Sequence, residues 1–490
     1  LKKPDTYIGS IENTEHTNYI FVENHNATQK ESIDDKTNSM SIDNVSDNEE
    51  DIASDDEIEN TVQKCSPEDN NKEESPSRIE LKDIQYIPGL YKLFDEGIVN
   101  CRDHVIRQQQ AVSDKVEGAL PVNNIDITID NDGTIHMYND GNGIDVAEHP
   151  EYKIWIPEMI FGHLRTSTNY DEKKKEKIVG GKNGFGFKLV LIWSTWGRVE
   201  TVDHIRGLKY IQEFKDNLTI IEKPKITKSK IKPYTKVSFR PDYQRLGIDG
   251  LTEDMLSLFK KRVYDISAVT SKSVRVKLNS QLIPCKSFEQ YIDLYIGSKG
   301  DTKRIYESAP NGRWEYAVCL SPEEEFKHIS FVNGIFTSNG GKHVEYVMNQ
   351  IVRKLTAYIK LKKKVDVKAT SIKEQLMIFI RCDIENPSFN SQTKDELGTA
   401  VAKFGSTCTV SDSFIEKIAK MGVMTAACAL TVVKENKAVK KTDGSKCKSI
   451  RGIPKLIDAN YAGTQNSGQC TLILCEGDSA KAGIVSGLSK

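Results

Sequence analysis

Between Val179 and Val190 the chain reads VGGKNGFGFKLV. A glycine-rich turn that runs into an apolar stretch lets backbone amides approach something closely, most often a phosphate. The run Gly181-Lys182-Asn183-Gly184-Phe185-Gly186-Phe187-Lys188 has neither the G-x-G-x-x-G order of dinucleotide folds nor the terminal G-K-[ST] of a P-loop. By itself it fits a plain helix-opening turn better than a nucleotide site, so other segments must decide.

At 490 residues the chain exceeds what one hydrophobic core serves, and two to four domains are expected. The net charge of −2 hides an asymmetry: residues 31–80 hold 17 Asp+Glu against 4 Lys+Arg and no aromatic residue. Such a segment buries too little to offset its ordering entropy, so residues 24–80 read as an acidic disordered insertion in a mildly basic body. Ten cysteines lie scattered without a C-x-x-C pair, which points to free thiols rather than a disulfide framework or zinc site. No apolar run reaches the ~18 residues of a membrane span. The opening LKKPDTYIGS carries no initiator Met and reads as the interior of a longer protein.

Leu90, Leu93, Phe94 and Ile98 recur at helical spacing. Ile125, Ile127 and Ile129 share one face of a strand, Asn131-Asp132-Gly133 makes a turn, and TIHMY returns, which predicts a hairpin. Met255, Phe259, Val263 and Ile266 predict another helix and VRVKL (274–278) another strand, with a change of domain between about 245 and 270. A helical connector is expected over 411–435. The apolar run TLILC (471–475) reads as a strand buried on both faces.

In FDEGIVN, Glu96 and Asn100 stand at i and i+4, with Asp103 at i+7 on the same helical face. A carboxylate one turn from a carboxamide suits a metal–nucleotide hydrolase. The amide oxygen can bind a hard Mg²⁺, and the carboxylate can orient and deprotonate a water. Polar residues on a solvated face explain the same pattern. Asn139-Asp140-Gly141-Asn142-Gly143 then closes a predicted strand, where a short polar side chain can reach a base.

The order E-x-x-x-N helix, N-D-G-N-G strand end, glycine loop resembles the GHKL (Bergerat) ATPase fold. That fold serves chaperones, mismatch-repair clamps, histidine kinases and topoisomerases alike. YIPGLYKLFDEGIVN, IFGHLRTSTNYDE, FVNGIFTSNGGKHVEYV, NSQTKDELG, RGIPKLIDAN and LILCEGDSAKAGIVSGL resemble eukaryotic-type (type IIA) DNA topoisomerase II, in that family's order. The resemblance covers the chain apart from the acidic segment. It implies an α/β (α+β sandwich) GHKL domain over 1–255, a ribosomal-S5-like transducer domain over 256–410, a helical connector over 411–450, and the first strand and helix of a TOPRIM domain over 451–490.

The resemblance also implies roles. Glu96 would be the general base of ATP hydrolysis and Asn100 the Mg²⁺ ligand. Asn139 would face adenine, while Ser167, Thr168 and Asn169 would contact sugar and phosphates. Gly181 to Lys188 would enclose the triphosphate, and Gln392, Thr393 and Lys394 would reach in from the second domain, Lys394 to the γ-phosphate. Domain position would then depend on whether that phosphate is present. Lys362, Lys363 and Lys364, with Lys360 and Lys368, would form a loop touching double-stranded DNA. Glu476 would be a Mg²⁺ ligand of strand cleavage, stranded here without the acidic pair and the nucleophilic tyrosine, so the chain is expected to hydrolyse ATP and not to cut DNA. The full-length protein would be a homodimer without a membrane segment. It would sit in the nucleus if cellular, or in host cytoplasm, viral factory or virion if viral. The Asn, Ile and Lys usage suits the AT-rich genome of a protist or large DNA virus. Gly97, Cys101, Arg102, His104 and Phe187 depart from the family pattern, and Gly97 alone costs about 1 kcal/mol of helix propensity. A chaperone or repair clamp of the same fold, and a DNA-binding remnant without turnover, are the rival readings.

Overall fold

The computed structural model describes residues 7–23, 77–163, 186–429 and 465–476, together with 459, 461 and 463. Ser167, Thr168, Asn169, Gly181, Lys182, Asn183, Gly184 and Phe185 lie outside the described residues, as do 430–450 of the expected connector.

Strand β1 (Thr14–Val22) pairs antiparallel with β2 (Arg78–Tyr86), and Val22 stands opposite Arg78. The acidic segment therefore joins two neighbouring strand ends. It also stops earlier than expected, because β2 already runs through Arg78-Ile79-Glu80, with Ile79 buried. That stretch offers a sequence reader one apolar residue only, and its order comes from pairing with β1.

Helix α1 (Pro88–Ser113) begins with proline in its first turn and buries Leu90, Leu93, Phe94, Ile98 and Val105. Strands β3 (Asn124–Ile129) and β4 (Ile135–Asp140) form the predicted hairpin, with the three isoleucines buried. Helices α2 (Ile156–Gly162) and α3 (Gly186–Ile192) precede β5 (Ser194–Asp203), β6 (Leu208–Lys215), β7 (Ile220–Ile221), β8 (Lys225–Lys228) and β9 (Tyr234–Pro241). Helix α4 (Glu253–Val269) is capped by Thr252, whose side chain accepts from Met255 N at 3.3 Å, and it carries Glu253 and Asp254 in its first turn. Phe94 of α1 stacks on Phe259 of α4 at 4.2 Å.

Strands β10 (Arg275–Leu278) and β11 (Gln281–Leu282) close a nine-stranded sheet with the path β11-β10-β3-β4-β9-β5-β6-β7, with β8 beside β6. The expected domain change at 255/256 thus falls inside α4, and β10 pairs in parallel with β3 of the first sheet. The first sheet thus runs on to Leu282. Sequence periodicity locates elements but is blind to which sheet a short strand joins.

The second body starts with α5 (Phe288–Ile296). Strands β12 (Arg304–Ser308), β13 (Trp314–Leu320), β14 (Lys327–Val332) and β15 (Ile335–Phe336) follow. Then come α6 (Lys342–Lys363), α7 (Ala369–Lys373) and β16 (Leu376–Cys382). Its sheet order is β12-β13-β16-β14-β15, with β14 parallel to β16 across the α6 crossover. Val344, Val347, Met348, Ile351, Leu355 and Ile359 of α6 pack on one face of this sheet. Helix α8 (Asp412–Ile418), which the sequence reading assigns to a connector, buries Phe414, Ile415 and Ile418 in the same core. The other face turns to the first core: Tyr291 and Tyr295 of α5 lie edge-on to Phe331 and Phe379 at 5.8 and 5.5 Å, and Tyr19 of β1 lies edge-on to Tyr295 at 5.0 Å. The two bodies therefore meet through packed aromatic rings.

The expected strand 471–475 is not one. Residues 471–475 are irregular, with Leu472 and Leu474 75% and 86% exposed. An apolar run becomes a buried strand only beside other strands, and no described strand pairs with it.

Candidate active site

Two lysines hold Glu96 on the buried face of α1. Lys92 Nζ, one turn earlier, lies 3.1 Å from Glu96 Oε1, and Lys394 Nζ, from the second body, lies 3.0 Å from the same oxygen. Glu96 is only 6% exposed. Burial pushes its carboxyl up, but Lys394 and Lys92 overcome that and hold it below the usual carboxylate range. It is therefore an ionised, desolvated carboxylate. Lys92 also reaches Asp95 Oδ2 at 2.9 Å, and Arg262 Nε donates to Asp95 Oδ1 at 2.7 Å. Burial opposes the charge on Asp95, yet Lys92 and Arg262 prevail and keep its carboxyl far below the ordinary range.

Glycine serves Glu96 directly. A Cβ on Gly186 would overlap Glu96 Oε2, so the glycine at the start of α3 lets the backbone lie against the carboxylate. Two departures from the family pattern compensate each other. At Gly97 a Cβ would overlap Met137 Sδ and lie 3.3 Å from Phe187. Phe187 is buried, edge-on to Phe161 at 5.4 Å and Phe239 at 5.9 Å. Bulk lost from α1 reappears on α3, so the helix-propensity cost of Gly97 accompanies a close fit. Lys188, next along, is buried, and burial lowers its ammonium to about 8.

Asn100 stands one turn beyond Glu96, partly exposed. Asn139 is buried near the end of β4, its Nδ2 donating to Asp140 O at 3.0 Å. The carboxylate of Asp140 accepts from the backbone N–H groups of Asn123 and Asn124, at 2.7 and 2.8 Å, and so fastens the strand before it. Gly143 passes so close to β5 that a Cβ would overlap Val202 O. His104 is held neutral: burial, then Arg107, lowers it to about 4.

The loop carrying Gln392, Thr393 and Lys394 is turned by Lys394 itself, in the left-handed region at φ 64°. Ser391 O accepts from Lys394 N at 3.2 Å, and the Thr393 hydroxyl donates to Asp395. The segment Ile8-Gly9-Ser10, unassigned in the sequence reading, fits between this loop and α1. Gly89 N donates to Ser10 O at 2.7 Å, and a Cβ on Gly9 would touch Thr393 Cγ2 at 3.4 Å. Only its small residues hinted at such a fit.

The basic cluster is part helix and part loop, residues 364–368 forming the loop between α6 and α7. Lys360, Lys362 and Lys363 form the last turn of α6 and Lys364 its left-handed cap at φ 58°, all exposed, while Lys368 starts α7. Lysines at a helix C-terminus also complement its dipole. Glu476 is exposed, and among the described residues no group of three or more His, Cys, Asp or Glu is placed to hold a metal. Every described cysteine is free, and no described helix is long and apolar enough to cross a membrane.

The sequence profile of the DNA gyrase B family matches residues 287–446, which begins where the second body does. The chain is 38% identical to DNA topoisomerase 2 of Candida glabrata over 100% of this chain and 31% of that protein. It is 40% identical to DNA topoisomerase 2 of Acanthamoeba polyphaga mimivirus over 100% of this chain and 34% of that protein. It thus spans about a third of these relatives' length. The crystal structure of the ATPase region of Saccharomyces cerevisiae topoisomerase II superposes with a TM-score of 0.70 at 36% identity, covering 88% of this chain and 95% of that one. With that coverage, that identity and a shared two-body α/β architecture, the chain belongs to the type IIA DNA topoisomerase II family and corresponds to its N-terminal ATPase region.

Proposed function

We propose that this chain binds and hydrolyses ATP at the Glu96 site and serves as the ATP-operated gate of a type II topoisomerase. One observation carries the reading: a buried carboxylate kept ionised between a lysine of its own helix and a lysine of the second body. A desolvated, ionised Glu96 can orient a water and take its proton as the water attacks the γ-phosphorus. Lys394 can pass from Glu96 to that phosphate without unbalancing the buried cluster. Lys92, Lys261 and Arg262 against Asp95, Glu96 and Asp265 are already three cations to three anions.

Asn139 faces the base, Ser167, Thr168, Asn169 and the run Gly181 to Lys188 enclose sugar and phosphates, and Gln392 and Thr393 support Lys394. Asn100 offers one neutral, hard oxygen beside an anion, which suits a Mg²⁺ that keeps most of its shell from water and phosphate. When bound, that ion would neutralise phosphate charge. Because Lys394 belongs to the second body, hydrolysis changes what the two bodies share, and this couples ATP to passage of one DNA duplex through a break in another within the homodimeric full-length protein.

The test is Glu96→Gln in a phosphate-release assay, with and without duplex DNA. Nucleotide binding should persist while turnover falls by roughly 10²–10⁴. Undiminished release would remove Glu96 from the role, and a wild-type chain that binds ATP without releasing phosphate would favour a clamp without turnover.

A further inference from the structure

The turn between β14 and β15 is the point where the second body grips the helix of Glu96. Asn333 and Gly334 at its tip have φ 50° and 79°. The Asn333 side chain fastens the turn to the continuation of β16: Nδ2 donates to Ile384 O at 2.9 Å and Oδ1 accepts from Ile384 N at 2.8 Å. The turn therefore moves with its sheet.

Two arginines of the first body hold the tip. Arg262 of α4, fully buried, donates from Nη2 to Gly334 O at 2.7 Å and from Nε to Asp95 Oδ1 at 2.7 Å. Arg102 of α1 lays its Cδ where a Cβ on Gly334 would stand, and its Nη2 donates to Asp383 Oδ1 at 2.6 Å. Asp265 and Lys261 complete the cluster, with Arg262 Nη1 3.7 Å from Asp265 Oδ2 and Lys261 Nζ 4.4 Å above the Phe336 ring of β15. From the turn a continuous path runs through Arg262 to Asp95, and through Lys92 to Glu96. A guanidinium bonding two groups in a fixed fork transmits position where a single-point ammonium cannot.

We propose that Arg262 is a positioning residue for ATP turnover: it ties the 333–334 turn to Asp95 and so sets Glu96, the next residue on α1, according to where the second body stands. This rests on Glu96 being the base. The experiment measures kcat and KM for ATP in Arg262→Lys and Arg262→Met beside Glu96→Gln, using phosphate release, with folded content checked by circular dichroism.

Lysine keeps a cation beside Asp95 but cannot bond Asp95 and Gly334 O together. Arg262→Lys should therefore lose kcat by about tenfold with KM unchanged, and Arg262→Met by more, as expected of a displaced catalytic group. Each variant combined with Lys394→Ala should lose less than the product of the single losses. Full kcat in a folded Arg262→Lys chain overturns the proposal. So does a loss of rate that only follows loss of folded protein. If Glu96→Gln itself turns over normally, the base assignment fails instead, and the two failures are distinguishable.

Discussion

Lys394 Nζ and Glu96 Oε1 stand 3.0 Å apart across 298 positions of sequence, one on the second body and the other on the helix of the first. That pair is the shortest expression of how the two bodies communicate. It leads to the first expectation. Lys394→Ala should lower phosphate release by at least about tenfold while leaving ADP affinity unchanged, since only the γ-phosphate is lost as a partner. Because Lys394 favours the ionised form of Glu96 in the nucleotide-free chain, its removal raises that carboxyl, and the acid limb of kcat/KM should move to higher pH. Equal weakening of ADP and ATP binding would contradict the assignment.

Asp95 makes stability depend on acid. Its carboxyl titrates well below its ordinary value when folded, through Lys92 and Arg262 acting against burial. The unfolded chain therefore takes up a proton near pH 4 that the folded chain refuses. The stabilisation is complete above that pH and is lost as pH falls toward the depressed value. Asp95→Asn should be less stable at pH 7, by about 3–5 kcal/mol for a broken buried pair, and should lose less on acidification. Urea unfolding at pH 7, 5 and 3 measures this, and parallel curves would rule it out.

Gly143 tests the strand end that carries Asn139. A methyl there meets the Val202 carbonyl, part of a paired strand that cannot yield as a flexible side chain can. Gly143→Ala should cost at least about 1–3 kcal/mol in thermal or urea unfolding. A neutral result would mean that β5 can move aside.

The lysines at the end of α6 should reveal themselves through salt. Replacing Lys362, Lys363 and Lys364 with Ala should reduce the slope of log affinity for duplex DNA against log salt by about 0.9 for each DNA phosphate that is no longer neutralised. ATP turnover without DNA should stay unchanged. An unaltered slope would leave these lysines with the helix dipole alone.

Local pattern carried much of the fold. Helix α1 and the β3–β4 hairpin are legible because Leu90, Leu93, Phe94 and Ile98, and then Ile125, Ile127 and Ile129, state their own periods. Tertiary pairing is what sequence concealed: β10 looks like the start of a new domain, yet its partner is β3, some 150 residues earlier. The site divides in the same way. Glu96 and Lys394 were legible as motif residues, whereas Asp95 passes unremarked beside Glu96 in the same motif, Arg262 carries no motif, and only the fold joins these two buried side chains from two helices. Gly97 and Phe187 read as separate anomalies, and only their contact explains them together.

The register of β1 against β2 has one more consequence. Since Val22 and Arg78 face each other as the last pair of a ladder, everything strung between them departs and returns at nearly the same spot. Closing a loop at such a spot costs only the logarithm of its length, so evolution could lengthen or trim this tether without re-threading the ATP-binding body. A splice of Glu23 to Ser77 through an Asn-Gly hairpin turn should leave the ladder, and the turnover built beneath it, intact.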